Sequence, residues 1–332
     1  MERVVLGLSG GVDSAVCARL LQRRGLEVHG LYLDIGGENA RRDAEDTAAF
    51  LGVPLRVLDI RDELEKNVCR PFAECYLRGE TPNPCVMCNP SVKFRALCAY
   101  ADELGAKYIA TGHYARMENG ALFKAHSSND QSYMLCRLKR EQVERLILPL
   151  GEYEKAKTRE MALEFGIPVA KKPDSMEICF IPDKDYVSWL RSRADVPGEG
   201  DFIFHGEKLG RHSGIVNYTV GQRRPGIFDG RKLYVSEIRP ETNEIVLALW
   251  EELFTTRVSA RDFSWLADPA GFGGRASVKV RHTKWECPEC SFEVLPDGTV
   301  EINADSPLRA PARGQAAVLY SGERVLGGGY II

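Results

Sequence analysis

An apolar stretch, Arg3 to Leu8, runs directly into Ser9-Gly10-Gly11-Val12-Asp13-Ser14 and then into a helix-forming segment, Asp13 to Arg24. No other feature narrows the fold as much. Adjacent glycines let successive backbone N–H groups turn into one concavity, and the following helix points its positive end at the same place. The pattern reads as a phosphate-binding loop at the mouth of a buried strand. Asp13 and Ser14 are placed to cap that helix, or to meet a metal ion or phosphate oxygens. No Gly-Lys-Ser/Thr follows the glycines, which excludes a Walker A loop.

Strand and helix signals keep alternating through the first third. Val28–Asp34 and Leu55–Ile60 read as strands, and Tyr108–Thr111 as a fourth. Between Glu38 and Gly52, Ala44, Thr47, Ala48 and Leu51 follow the i, i+3, i+4, i+7 spacing of a helix packed on a sheet. Ser91–Gly105 reads as another helix. Such alternation predicts a parallel sheet covered by helices on both faces. Its ligands belong at the carboxyl ends of the strands, where Ser9–Ser14 and Thr111-Gly112-His113 emerge.

Helices are expected at Lys139–Leu148, Tyr153–Phe165 and Asp183–Arg193, and Pro197-Gly198-Glu199-Gly200 reads as a boundary. Beyond it come short strands and turn signals at Asp229-Gly230, Pro296-Asp297-Gly298, Ser321-Gly322 and Gly327–Gly329. The expected fold is an α/β parallel-sheet domain over residues 1–196, a small central domain over 197–252 and a C-terminal β-barrel over 253–332.

The net charge of −3 and pI near 6.1 give no bulk attraction for a polyanion, so any nucleic-acid site must be a local patch. No apolar run approaches the ~20 residues that cross a bilayer. The segment Met1-Glu2-Arg3 lacks the layout of a signal peptide, and a cytoplasmic location is expected. In that compartment the ten cysteines point to thiols, metal or catalysis rather than to disulfides.

Thr81-Pro82-Asn83-Pro84-Cys85-Val86-Met87-Cys88-Asn89 carries a Cys-x-x-Cys. Its prolines argue against a helix through 81–85 and for thiols on a rigid exposed turn. Cys179 follows Asp174-Ser175-Met176-Glu177-Ile178 in an acidic, strand-like context. Reactive thiols need nearby positive charge, which Lys93 and Arg95 could supply to the first segment and Lys171 and Lys172 to the second. Cys17, Cys98 and Cys136 lie in apolar patterns and read as structural. Cys287-Pro288-Glu289-Cys290 resembles half a zinc ribbon without its second ligand pair, and reads as a hairpin turn. His113 reads equally as a base, a phosphate ligand or a satisfied strand-end histidine.

These segments together resemble the tRNA 2-thiouridylase (tRNA-uridine 2-sulfurtransferase) family of PP-loop ATP pyrophosphatases, through nearly the whole chain. The resemblance rests on Gly7–Ser14, Thr81–Asn89, Ala110–Arg116 and Asp130-Gln131-Ser132-Tyr133. It continues through Lys172-Pro173-Asp174-Ser175, Ile178-Cys179-Phe180-Ile181, Tyr218–Arg223, Gly314–Tyr320 and Leu326–Gly329. The first motif is common to many ATP pyrophosphatases. The Pro-Asn-Pro cysteine loop together with Ile-Cys-Phe-Ile is far more specific.

The resemblance implies that ATP, carried with Mg2+, adenylates the C2 oxygen of a wobble uridine in tRNA of the Lys, Glu and Gln type. Sulfur then follows from a cysteine desulfurase or persulfide relay protein. It assigns Cys179 as the persulfide carrier and Cys88 as its nucleophilic partner, leaving a Cys88–Cys179 disulfide. Gly7, Leu8, Ser9, Gly10, Gly11, Val12, Asp13, Ser14 and Gly112 would contact ATP, with Leu33 beside the adenine. Asn83, Pro84 and Cys85 would touch the target base, flipped from its stack. His113, Asn129, Asp130, Gln131, Arg281, His282 and Gln315 would contact tRNA.

Three positions depart from the family pattern. Cys85 stands where many relatives carry Asp, the loop after Asp34 is short, and Arg281-His282 replaces Arg-Tyr. The first departure opens a second route, in which Cys85, Cys88 and Cys179 hold a [4Fe-4S] cluster with one open iron. Two other functional classes stay open, a different PP-loop ligase and a non-catalytic tRNA-binding module.

Overall fold

The computed structural model describes residues 1–174, 178–181, 183–223, 231–283 and 287–332. The expected Asp229-Gly230 turn and Ser175, Met176 and Glu177 lie outside the described residues.

Strand β1 (Arg3–Gly7), helix α1 (Val12–Arg23), β2 (Glu27–Asp34), α2 (Glu38–Leu51) and β3 (Leu55–Asp59) follow the sequence-derived order. Helix α2 ends where Gly52 takes φ of 65°, a left-handed turn that glycine enters without a Cβ penalty. Next comes helical chain that the sequence analysis did not assign: α3 (Arg61–Leu64), a wider turn at Glu65–Cys69, and α4 (Arg70–Leu77). Then come α5 (Pro84–Cys88), a second wide turn at Asn89–Lys93, α6 (Phe94–Leu104) and β4 (Tyr108–Ala110).

Helix α5 corrects the expectation of a non-helical cysteine loop. Pro84 occupies the first helical position, where its missing N–H costs nothing. The Asn83 side chain caps the helix by accepting from the amides of Cys85 at 3.1 Å and Val86 at 3.3 Å. The prolines therefore start a helix rather than prevent one.

A hairpin, β5 (Ala115–Glu118) and β6 (Ala121–Lys124), follows β4. The predicted Lys139–Leu148 helix is only a short α7 (Arg140–Val143), and Leu146–Ile147 becomes an edge strand, β7. The apolar run Leu146-Ile147-Leu148 is too short for periodicity to separate helix from strand. Helices α8 (Lys155–Glu164) and α9 (Tyr186–Arg191) complete the first domain, α9 capped by Asp185. Its sheet is parallel throughout, in the order β3-β2-β1-β4-β7.

The central sheet is formed by β8 (Gly200–Phe204), β9 (Glu207–His212), β10 (Tyr234–Arg239) and β11 (Glu244–Ala248), ordered β10-β11-β8-β9. Its core, around Phe202, Val235 and Ile245, takes in Ala73 of α4 and Leu190 of α9. The last unit comprises β12 (Phe254–Trp265), β13 (Arg275–Lys279), β14 (Glu289–Val294), β15 (Val300–Arg309), β16 (Ala316–Ser321) and β17 (Arg324–Ile331). The order β12-β15-β14-β13-β16-β17, closed by β12 pairing with β17, is a six-stranded barrel.

Turns fall at Pro296-Asp297-Gly298 and Ser321-Gly322, as expected. Gly327–Gly329 instead lies inside β17. A Cβ at Gly328 would come 2.6 Å from Cys136 Sγ, and one at Gly329 2.6 Å from the Arg261 carbonyl. These glycines permit close approach within a strand.

The barrel is not a separate appendage. β6 pairs with β17, so the hairpin from the first domain extends the barrel sheet. One buried cluster runs from Val5, Phe94 and Ile109 through Leu122 and Tyr133 to Val318, Tyr320 and Val325.

Candidate active site

The phosphate loop sits between β1 and α1. Gly10 takes φ of +71°, and a Cβ there would lie 2.7 Å from the Ala44 amide nitrogen of α2. Only glycine fits that approach. Gly11 is the N-cap of α1 and makes no side-chain cap. This corrects the expectation that Asp13 or Ser14 caps the helix. Ser14 Oγ instead donates to the Gly11 carbonyl at 3.0 Å and lies 3.2 Å from Ser9 Oγ. With no side-chain cap, the first-turn N–H groups keep their capacity for an external anion.

Asp13 has two neighbours from elsewhere in the chain. Lys155 Nζ lies 2.7 Å from both its carboxylate oxygens, and the Tyr114 hydroxyl lies 2.9 Å from Oδ1. Gly112, at the end of β4, abuts the same turn: a Cβ there would be 3.1 Å from the Ser14 amide nitrogen. The loop and the Thr111-Gly112-His113 segment thus meet, as the sheet topology predicts. Leu33, on β2, is half-buried between the main core and the smaller cluster beneath the thiols.

His113 stacks on buried Phe94 at 6.0 Å, and its Nδ1 lies 2.7 Å from Thr111 Oγ1. Burial first, then Lys93, pushes its pKa well below the usual 6.5. It is a neutral imidazole at physiological pH.

The fold places the predicted thiols in one region, close enough for Cys85 and Cys88 to influence Cys179 electrostatically. Cys85 is exposed on the first turn of α5, Cys88 is half-buried at its end, and Cys179 is exposed in a turn rather than in the expected strand. Phe180 fixes that turn by packing edge-on to Phe72 at 5.5 Å and against Trp189 at 5.3 Å. Each such ring pair contributes on the order of 0.5–1.5 kcal/mol beyond its buried area. Desolvation of the sulfur, then the Cys88 and Cys85 thiols, push Cys179 up to about 11, opposed by Lys93. Burial likewise raises Cys88, which Lys93 again opposes. Of the four cations expected to assist, Lys93 does so. Arg95 is paired with Glu63, and Lys172 with Asp43.

Cys69 was missed by the sequence analysis. It is buried in the cluster that Cys88 and Phe180 pack against, and burial pushes it up to about 12. Nothing in its apolar surroundings sets it apart in the sequence. Cys17 and Cys136 are buried and Cys98 half-buried. Cys290 lies in the barrel core on β14, with half-buried Cys287 just before that strand, 3.8 Å from Lys124 Nζ.

Most residues assigned by resemblance to tRNA have internal partners. Asp130 accepts from the amides of Ala125 and Ser132 and from Ser132 Oγ, and Gln131 Oε1 accepts from the Tyr114 amide. Gln315 Nε2 donates to the Thr81 carbonyl at 2.7 Å. Arg281 donates to the carbonyls of Ala310 and Val220, and so links barrel and central domain. His282 Nε2 lies 3.1 Å from the Asp130 carbonyl. Asn129 is exposed beside them. Arg281, His282 and Gln315 line a cavity of about 200 Å³ with Thr81 and Thr219, where all three domains meet.

Fold and site define a three-domain α/β protein with a phosphate loop and a thiol group at the mouth of its parallel sheet. Consecutive stretches match the domain models "tRNA methyl transferase HUP domain" over residues 2–183, "tRNA methyl transferase PRC-barrel domain" over 192–248 and "Aminomethyltransferase beta-barrel domain" over 255–331. The tRNA-specific 2-thiouridylase MnmA of Lachnoclostridium phytofermentans is 40% identical over 360 residues, covering 100% of both chains. That of Rickettsia typhi is 41% identical over 357 residues, covering 100% of this chain and 99% of its own. A 4-thiouridine synthetase solved with RNA and bound ATP aligns at 23% identity and a TM-score of 0.38, over 57% of this chain and 50% of that one. The chain belongs to the tRNA-specific 2-thiouridylase MnmA family.

Proposed function

We propose that the protein is a tRNA-uridine 2-sulfurtransferase that thiolates the wobble uridine of tRNA at the expense of ATP. The observation that carries this reading is that Cys88 and Cys179, distant in sequence, lie within electrostatic reach of each other and of Lys93, in a protein whose first strand runs into a glycine turn with no side-chain cap. Its full-length relatives bear the name of that activity.

The C2 oxygen of the uridine attacks the α-phosphorus of ATP and expels pyrophosphate, which leaves C2 electrophilic. The outer sulfur of a Cys179 persulfide adds to C2 and displaces AMP. Cys88, as thiolate, attacks the inner sulfur of Cys179, which releases the 2-thiouridine and forms a Cys88–Cys179 disulfide for later reduction. The persulfide is supplied by a desulfurase or relay protein. Lys93 favours both thiolates. Gly7–Ser14, Leu33 and Gly112 are assigned to ATP, and Asn83, Pro84 and Cys85 to the base. His113, Asn129–Gln131, Arg281, His282 and Gln315 are assigned to tRNA, whose target base is taken out of its stack. The assigned location is the cytoplasm, and no described helix is long and apolar enough to cross a membrane.

Magnesium bound to the triphosphate needs only one or two protein carboxylates, and Asp13 and Asp43 flank the loop, each now paired with a lysine. The cluster route fits less well. Among the described residues no three His, Cys, Asp or Glu side chains are arranged to hold a metal ion.

Incubation with ATP tests the reaction class. Release of AMP and pyrophosphate only when tRNA is present supports the proposal. Release without tRNA, unaffected by Cys88→Ser and Cys179→Ser, would point to another PP-loop ligase.

A further inference from the structure

A run of ion pairs joins the phosphate loop to the stretch that leads to Cys179. Lys155, the first residue of α8, contacts Asp13 in the loop and also Asp174 Oδ1 at 2.8 Å. Arg159, one turn along α8, reaches the same Asp174 oxygen at 2.9 Å and donates to the Lys172 carbonyl at 3.1 Å. Lys172 pairs with Asp43, whose Cβ would lie 2.9 Å from a Cβ on Gly10. Residues 172–174 are therefore tied to both shoulders of the loop, five residues before Cys179.

Lys155 is the shared member. An ammonium carries three donors, and all three are matched here by two oxygens of Asp13 and one of Asp174. The Lys155, Asp13 and Asp174 side chains are 20%, 30% and 38% exposed, so the network is partly withdrawn from solvent screening. A phosphate entering the loop brings further anionic oxygens to an ammonium with no donor to spare. It therefore competes with Asp174.

We propose that Lys155 is a positioning residue that couples nucleotide occupancy of the loop to the reactivity of Cys179. Phosphate draws Lys155 toward the loop, weakens its hold on Asp174 and renders Cys179 more reactive once the nucleotide is in place. The competition between phosphate and Asp174 for Lys155 is an equilibrium and therefore reciprocal, so releasing Asp174 also strengthens nucleotide binding. The inference rests on the reading that the loop binds ATP.

The test uses the full-length protein, adenosine 5′-(α,β-methylene)triphosphate with magnesium, and iodoacetamide alkylation of Cys179 followed by peptide mass spectrometry. In the wild type the analogue raises the Cys179 rate at least about fivefold, the lower end of ordinary site-to-site coupling. In Lys155→Met the rate without nucleotide is already raised and the analogue adds nothing, whereas Lys155→Arg keeps the response. Asp174→Asn tests the pair from its other end, and raises both the basal Cys179 rate and the affinity for the analogue. A wild type that binds the analogue by calorimetry without a change at Cys179 overturns the coupling alone. So does a Lys155→Met protein that responds like the wild type. A wild type that does not bind the analogue overturns the ATP reading and the coupling with it.

Discussion

The hydroxyl of Tyr133 donates to the Ala316 carbonyl at 2.8 Å and accepts from the amide of the same residue at 3.1 Å. Tyr133 belongs to the parallel-sheet domain and Ala316 to barrel strand β16, and both are fully buried. With the β6–β17 pairing, this contact holds the barrel in a fixed position relative to the parallel sheet.

Tyr133→Phe strips one donor and one acceptor of their partner inside that seam. A cost of about 1–3 kcal/mol is expected, seen in urea denaturation as an earlier transition of the sheet and barrel together. A barrel transition that stays in place while the rest shifts would contradict a common core.

Gly10 and Gly11 separate folding from binding. Gly10→Ala meets the α2 backbone at 2.7 Å from a positive φ, and lowers the melting temperature as well as nucleotide affinity. Gly11→Ala has φ of −96° and meets only Ser9 Oγ at 3.4 Å. It is expected to melt near the wild type but to bind ATP more weakly, which calorimetry can measure.

Lys93 lowers the pKa of both Cys88 and Cys179 against the desolvation that raises them. Removing the cation in Lys93→Ala raises both thiol pKa values and reduces the thiolate fraction at any fixed pH. The pH midpoint for iodoacetamide alkylation of each peptide moves upward. A midpoint unchanged at both cysteines would show that Lys93 has no electrostatic role there.

His113 is held neutral, with its folded pKa well below 6.5. The unfolded chain takes up this proton first, so the contribution to stability is complete above about pH 6.5 and declines as pH falls through that value. His113→Gln removes this component, and its unfolding free energy should vary less between pH 7.5 and 5.5 than that of the wild type. Equal slopes would place the imidazole in water.

Much of the parallel sheet was legible because its signals are local: an apolar strand, paired glycines, and the spacing of Ala44, Thr47, Ala48 and Leu51. The β5–β6 hairpin also carried a local signal that went unread. Asn119-Gly120 takes φ of 49° and 74°, as a tight hairpin turn requires. Its pairing with β17, Phe123 opposite Arg324, spans the chain and leaves no trace in either segment. Asn83 and Pro84 misled because each disfavours a helix interior yet favours its first turn. At the site, the phosphate loop was readable from residues alone. The proposed partnership of Cys88 with Cys179 rests on family resemblance, and Lys155, Tyr114 and Cys69 became visible only once α8, β4 and α4 were packed around them.

Sulfur is expected to pass through Cys179 on its way to the uridine. Protein loaded with a ³⁴S-labelled persulfide is mixed anaerobically with ATP and unmodified tRNA, and nucleosides and cysteine peptides are read by mass spectrometry in one turnover. The expected result is ³⁴S in 2-thiouridine in amounts matching label lost from Cys179, together with a Cys88–Cys179 disulfide, and no transfer in Cys179→Ser. Labelled 2-thiouridine formed at an undiminished rate by Cys179→Ser would contradict it.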